Sequence, residues 1–307
     1  MSRQLDTEKA LKLYQEGQDH LGLRAKTAAY MTVMSTRPSV IMRDPEGFTR
    51  DFHAQIADLR GQSKTLAIAF YQLLRLIWTG RVLDDGYGTR WSKGDLWDRL
   101  HEGAGLEKPQ RGGVPAEVDE GPAPWAHKDP FSREDIKESI TKPVVEKIKK
   151  VQREPQRKNP NSDVLSLESL DELDDLLEGI ATSVQGDAQK AVSDGGREAV
   201  VDATRLDPRA LRWMRVPEAG ACGFCLMVAS RGAVYASARS GGGIKGGEFH
   251  PHCRCEVAPI FSNKYDDPDA VKEAKRLWEE SGATSVQDFN RYIEEERKGE
   301  EHDSGSH

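Results

Sequence analysis

The chain has 307 residues and a formal net charge of −7, with 37% hydrophobic and 31% charged residues. This length allows one large or two medium domains with a substantial core. The low apolar fraction favours long solvated helices and unstructured connectors over one compact globule, and the acidic balance gives no general case for a nucleic-acid-coating protein. With no signal peptide and no apolar run long enough for a membrane span, we expect no membrane partner and a protein made and used in the cytoplasm.

Residues 1–79 predict an N-terminal helical region. Apolar residues recur at three- and four-residue intervals over about 7–34, where Asp6 or Thr7 can cap a helix that ends before Pro38. A second helix is predicted over about 45–78, and Gly61 can interrupt it. Its apolar run indicates the core helix of a bundle, with a subunit interface as the alternative.

Residues 80–131 predict a flexible connector. Gly, Pro and Asp dominate, and the segment 107–124 has almost no periodicity. We interpret Trp91, Trp97 and Trp125 as anchors of this connector. The alternative is that exposed tryptophans dock on a partner subunit.

Residues 132–194 predict a second helical region. A basic helix is expected over about 132–153, followed by a linker to about Pro160. Nucleic acid or an acidic partner could contact its patch Lys147, Lys149 and Lys150, although a charge run is more often a solvated helix face. An acidic helix over about 166–184 carries carboxylates that suggest acid–base chemistry, but their place on a polar face favours solvated surface. They are Asp171, Glu172, Asp174, Asp175 and Glu178.

Residues 195–262 predict a small α+β domain. Helix continues to about Thr204, and short strands are expected over 211–216 and 255–261. Residues 263–298 predict two amphipathic C-terminal helices, capped by the acidic run from Asp266 and by Ser285. The charged end, 299–307, is expected to be disordered.

The chemistry-bearing residues of the chain are concentrated in the small α+β domain. All four cysteines and two of the eight histidines fall within 222–255, as Cys-Gly-Phe-Cys and then His-Pro-His-Cys-Arg-Cys. Soft sulfur and nitrogen donors at this spacing suit tetrahedral zinc. Cys222 and Cys225 form one pair of candidate ligands, and the second pair is either His250 with Cys253 or Cys253 with Cys255. The two histidines around Pro251 leave His252 as an alternative to His250.

Two other interpretations of the cysteines remain open. A redox pair of the thioredoxin kind requires a βαβ context with the Cys-x-x-Cys opening a helix, and it leaves Cys253 and Cys255 unexplained. Structural disulfides or reduced thiols are the other alternative. A structural metal would have a clear role, because the glycine-rich bridge 230–249 has too few large apolar residues to offset its backbone entropy.

The same block carries a family resemblance. The order Cys222-x-x-Cys225, Gly232, an aromatic at Tyr235, a glycine-rich connector, His250-Pro-x-Cys-x-Cys255 and Pro259 resembles the C-terminal domain of phage Mu F-type minor head proteins over about 195–261. This head-morphogenesis family occurs in many tailed phages, including those of actinobacteria. Outside the block we find only a general helical pattern.

The resemblance implies a non-enzymatic minor capsid protein. Such a protein enters the procapsid in the host cytoplasm, contacts the portal and capsid or scaffold proteins, and stays in the virion, inside the capsid or at the portal vertex. Its role would be head assembly or the fate of packaged DNA, with the cysteine block structural. The alternative is a hydrolase, because relatives are often labelled capsid maturation proteases. Glu248 or Glu256 would then be the base and His252 a proton shuttle, although the chain has no HExxH or G-x-S-x-G motif.

These expectations give one fold class. We predict a mainly α protein in which long amphipathic helices precede a small α+β Cys/His metal-binding domain and C-terminal helices.

Overall fold

The computed structural model describes residues 2–109, 112–121, 123–125, 129–158, 167–236 and 249–304. Its helices are α1 (Arg3–Ser35), α2 (Pro38–Arg43), α3 (Pro45–Thr79), α4 (Lys93–Gly103), α5 (Arg133–Ile136), α6 (Lys142–Lys158), α7 (Leu167–Leu206), α8 (Gly223–Ser230), α9 (Asp269–Ser281) and α10 (Val286–Ser304). Its strands are β1 (Arg81–Leu83), β2 (Glu117–Asp119), β3 (Arg212–Val216), β4 (Tyr235–Ala236) and β5 (Glu256–Ile260). The predicted fold class, long helices with a small strand content, is confirmed.

Helices α1, α3 and α7 form the central bundle, and α4 packs against α1 and α3. The ring of Tyr14 on α1 stacks on Phe70 of α3, with centroids 4.2 Å apart. Close packing of α7 on α3 depends on Gly195, because a Cβ there would lie 2.9 Å from the Arg60 carbonyl oxygen. Helix α3 passes Gly61 without a break. Both long N-terminal helices therefore follow the apolar periodicity of the sequence.

The segment expected to be a flexible connector contains ordered elements. Helix α4 begins at Ser92, whose hydroxyl accepts the Asp95 N–H while the Asp95 carboxylate accepts the Ser92 N–H. Strand β2 pairs in parallel with β1. The buried Arg75 of α3 donates to Asp119 (2.6 Å) and to Asp207 after α7 (2.7 Å). This ion network fastens the segment to both α3 and the end of α7.

The tryptophans of this segment pack inward, which corrects the alternative of exposed docking residues. Trp97 and Trp125 are buried, and Trp91 is half-buried against the core. The indole of Trp125 donates to the Ala199 carbonyl of α7 at 2.9 Å. These side chains therefore join the connector to the bundle.

Helices α6 and α10 both extend further than the sequence predicts, and the chain before α6 contains an irregular turn. A π-helical turn over Lys137–Thr141 precedes Pro143, which has no N–H to donate in a regular α-helix. Helix α6 then runs through Pro155 to Lys158, where the sequence predicts a linker from Arg153. Helix α10 continues to Ser304, into the predicted disordered tail.

The α+β part is a three-stranded antiparallel sheet in the order β4-β3-β5. Trp213 pairs with Tyr235, and Met214 pairs with Ala258. All residues of β5 are buried, and this strand packs against α7. On the other side of the chain's cysteines, α8 packs against α9 and α10. The cysteine block is therefore enclosed between the bundle helix α7 and the C-terminal helices.

No helix among the described residues is long and apolar enough to cross a membrane.

Candidate metal centre

The first pair of cysteines lies at the start of helix α8. Cys222 is the residue before the first helical turn, with φ −64° and ψ 159°, and Cys225 lies inside that turn. The thiols therefore lie at the same end of the helix. Gly223 is required between them, because a Cβ there would collide with Asn290 of α10.

The second group of donors lies in the loop that leads into β5. The Cys253 N–H donates to the His250 carbonyl at 3.2 Å, which closes a turn between these two residues. His252, inside the turn, adopts a positive φ of 65°. Cys253 and Cys255 are buried, and Cys255 immediately precedes β5. The sheet thus fixes one end of this loop.

The five donors meet in two overlapping triads. Cys222, Cys225 and His250 form one, Cys225, Cys253 and Cys255 form the other, and the ligand atoms within each triad lie within 4.8 Å of one another. The Cys225 sulfur is 3.6 Å from both His250 Nε2 and the Cys253 sulfur, and Cys222 is 3.2 Å from the same nitrogen. Cys225 is therefore the common member of the cluster.

These separations fit the ligands of one tetrahedral metal. With metal–sulfur bonds of about 2.3 Å and metal–nitrogen bonds of about 2.0–2.1 Å, neighbouring ligand atoms lie about 3.6 to 3.8 Å apart. The two 3.6 Å separations at Cys225 match this spacing. The cluster can hold a metal ion, and both predicted sets, with His250 or with Cys255 as the remaining ligand, include its central sulfur.

The hydrogen bonds around the cluster favour the metal-binding forms of its side chains. His250 Nδ1 lies 2.7 Å from the Pro251 carbonyl oxygen, so Nδ1 carries the proton and Nε2 keeps its lone pair for a metal. Burial acts to raise the pKa of Cys222, but its polar contacts with Cys225 and His250 outweigh burial and lower that pKa. The lowered pKa favours the thiolate.

The thiols of the second triad share negative charge unequally. Hydrogen bonds from Cys225 and Cys255 lower the pKa of Cys253 to about 2. The hydrogen bond to Cys253 raises the pKa of Cys225. A hydrogen bond with Cys225 acts to lower the pKa of Cys255, but the hydrogen bond with Cys253, burial and the Cys253 charge outweigh it and raise that pKa to about 12. One thiolate forms readily, and it opposes the next. A divalent cation removes this repulsion, because its charge stabilises several thiolates together.

Arg197 of α7 forms the inner side of the site. Its side chain is 2% exposed, and it donates to the carbonyl oxygens of Cys253 (Nη2, 2.8 Å) and Cys255 (Nε, 3.0 Å). Burial acts to lower the pKa of Arg197, but the carboxylates of Glu256 and Asp194 outweigh it and raise that pKa. The guanidinium therefore stays charged beside the thiols.

The aromatic ring before His250 lies between two cations. The guanidinium carbons of Arg197 and Arg215 are 3.9 and 3.8 Å from the Phe249 ring centroid. Both arginines and Phe249 are buried. Such stacking holds the ring, and with it the backbone entering His250, in one orientation.

The remaining candidates from the sequence lie elsewhere. Lys147 and Lys150 are on the exposed face of α6, and Lys149 pairs with Glu146 at 2.9 Å. His252 contacts α7 at Gly186. Glu256 is 1% exposed, and this burial raises the pKa of its carboxyl group to about 8. Of the acidic-helix carboxylates, Asp175 is exposed, and Glu178 accepts the Tyr30 hydroxyl.

Some predictions fall outside the described residues. These include Glu248, most of the glycine-rich bridge, and the side chains of Asp171, Glu172 and Asp174.

Sequence reasoning missed two residues that support the cluster, Arg197 and Phe249. Arg197 belongs to a predicted helix, where it directly follows Gly195 and Gly196, two residues that allow close packing. Phe249 is the large apolar residue that ends the glycine-rich bridge. The available signals were a charged residue directly after two glycines in a predicted helix and a lone aromatic before the candidate ligands.

The fold and the cluster define a mainly helical protein with a Cys/His knuckle packed among helices. The knuckle consists of residues 222–225 and 250–255, which carry the five donors. Residues 134–281 match the sequence profile of a family described as VG15 protein. The match spans just under half of the chain, contains all five donors, and indicates a phage protein family. No curated protein and no solved structure matches the chain significantly.

Proposed function

We propose that this protein is a phage minor capsid protein of the Mu F type, in which the cysteine cluster holds a structural zinc ion. It enters the procapsid in the host cytoplasm, contacts the portal, and assists head assembly or the fate of packaged DNA. The observation that carries this proposal is the position of the complete donor cluster inside the segment similar to the VG15 family. The long helices provide large surfaces for capsid partners.

The role of the zinc in this proposal is to hold the knuckle between α7 and α10. The chain from 223 to 236 and the chain from 249 to 260 meet at the cluster and in the sheet, and the pairing with β4 covers only two residues. A metal linking Cys225 to Cys253 adds a constraint between segments 28 residues apart in sequence. Such a site is closed by protein ligands, which suits a structural metal.

Elemental mass spectrometry of the untagged protein tests the metal. We expect about one zinc per chain, as for a single structural site, with loss of the metal in Cys225→Ser, which removes the shared ligand of both triads. Comparing His250→Ala with Cys255→Ser identifies the remaining ligand, since only the ligand's replacement abolishes binding. Lys150→Ala, on the exposed face of α6, is the control and keeps its zinc. Protein without zinc, with thiols that react freely, would refute the structural-metal assignment.

The head role is tested separately, by expression with the portal and capsid proteins of the same phage. The protein is expected in purified procapsids and in a direct complex with the portal, and the Cys225→Ser variant is expected to be depleted from both. Purified procapsids that do not contain the co-expressed protein, together with a portal that does not bind it, would contradict the proposal.

Among the described residues, no observation favours the protease alternative. A hydrolytic zinc site requires a general base that reaches a metal-bound water. Glu256 is buried between Arg197 and Tyr14, and His252 lies against α7.

A further inference from the structure

The contacts of Arg197 differ from those of an ordinary buried ion pair. Two of its nitrogens donate to the backbone carbonyls of Cys253 and Cys255, on either side of Arg254. The side chain of Arg254 points away, to Glu218 and Asp19. One guanidinium on helix α7 thus donates hydrogen bonds to the backbone of the Cys-Arg-Cys turn at both of its cysteines.

The guanidinium is itself held on several sides. Asp194, one helical turn earlier, accepts from Nη1 at 3.1 Å. The ring of Phe249 covers one face. Helix α7 is packed on α1 and α3, so the backbone that carries these donors is fixed relative to the bundle. A planar fork with fixed donors imposes its geometry on both carbonyls, which a flexible ammonium cannot do.

We propose that Arg197 is a positioning residue for the metal centre. By holding the carbonyls of Cys253 and Cys255, it sets the orientation of the turn that aims both sulfurs at Cys225. The bundle thereby preorganises half of the ligand set, and the free energy of metal binding is not used to order that turn. This inference rests on the zinc site proposed above.

Zinc affinity, measured by competition with a chromophoric chelator, tests the proposal in the full-length protein. Arg197→Ala is expected to bind zinc about 10- to 100-fold more weakly, the usual effect of losing a residue that orients metal ligands. Arg197→Lys keeps the charge but cannot bridge two carbonyls, and it is expected to recover only part of the loss. Arg205→Ala, on the same helix with a half-exposed side chain, is the matched control and keeps wild-type affinity.

Two further readouts separate positioning from general stabilisation. In the cobalt-substituted protein, the thiolate charge-transfer and ligand-field bands should shift or weaken in Arg197→Ala. The gain in melting temperature on adding zinc should also shrink. If both the metal-loaded and the metal-free forms simply lose the same stability, with unchanged cobalt spectrum and affinity, the positioning role is refuted.

The remaining outcomes are also decisive. If Arg197→Ala does not fold, Arg197→Lys decides, because wild-type zinc affinity in that variant contradicts the proposal and a clear loss supports it. Zinc-free wild-type protein would refute the metal site and the role of Arg197 together. A wild type that binds zinc beside an Arg197→Ala that binds it equally would refute the role of Arg197 alone.

Discussion

The contact of α7 with α3 allows a quantitative test of the bundle, using two glycines of the same helix. A Cβ added at Gly195 would meet the Arg60 Cγ at 2.5 Å and the Arg60 carbonyl oxygen at 2.9 Å, whereas a Cβ at Gly179 meets nothing within 4 Å. The clash at Gly195 involves the backbone of α3, so relief requires one helix to move. Overpacking of this kind costs about 1–3 kcal/mol.

The comparison of Gly195→Ala with Gly179→Ala isolates that clash. Both substitutions gain about 1 kcal/mol of helix propensity, so the difference between the two variants is the overpacking term alone, about 1–3 kcal/mol in favour of Gly179→Ala. Because 1 kcal/mol corresponds to about 2–4 °C in a domain of 150–250 residues, Gly195→Ala should melt several degrees below Gly179→Ala in a circular-dichroism scan. Equal melting temperatures, or a more stable Gly195→Ala, would show that the helices do not approach as described.

Two further predictions concern buried charges that hold the connector or lie within it. Arg75→Met leaves Asp207 buried without its cation and should lower the free energy of unfolding by about 3–5 kcal/mol. The half-exposed Arg209→Ala should lower it by less than about 1 kcal/mol in the same denaturant titration. Equal losses in the two variants would contradict the network. Burial opposes ionisation of Asp85, but hydrogen bonds from Thr89, Tyr87 and Trp91 outweigh it and lower its pKa below 3.8. The stabilisation that ionised Asp85 contributes to the fold is therefore complete above pH 3.8 and is lost as the pH falls through the lowered pKa. Asp85→Asn should be about 1.5–3 kcal/mol less stable than wild type at pH 7, and this difference should disappear in strong acid; a pH-independent difference would contradict the lowered pKa.

The long helices could be predicted because their periodicity extends over many turns. Helices α1 and α3 follow the apolar spacing, and α7 joins two stretches that the sequence already predicted as helical. Helix α4 was missed because it is short and lies among glycines and prolines, and its order depends on contacts with α1 and α3. The sequence predicts a linker after Arg153, but helix α6 continues through Pro155 to Lys158. Local sequence patterns do not predict an element, such as α4, whose order depends on tertiary contacts.

The candidate site was predictable in its donors but not in its surroundings. The clustering of cysteines in sequence indicated one site, and the structure brings all five predicted donors together. Their role as ligands remains a prediction. Arg197 lies 56 residues before Cys253, and a single sequence has no signal for such a distant contact. The Cys-x-x-Cys does open a helix, as a redox pair would require, but its neighbours are antiparallel strands and two more cysteines.

The crossing of α10 over the cysteine turn has a consequence for biosynthesis. Asn290 lies against Gly223, and Arg297 donates to the carbonyl of Ala221 at 2.6 Å. Chains are made from the N-terminus at about 5–20 residues per second, and early segments fold first. The bundle of α1, α3 and α7 can therefore assemble while the thiols are still uncovered. Metal capture can precede closure, and α10 seals the knuckle only after the ribosome has passed Arg297.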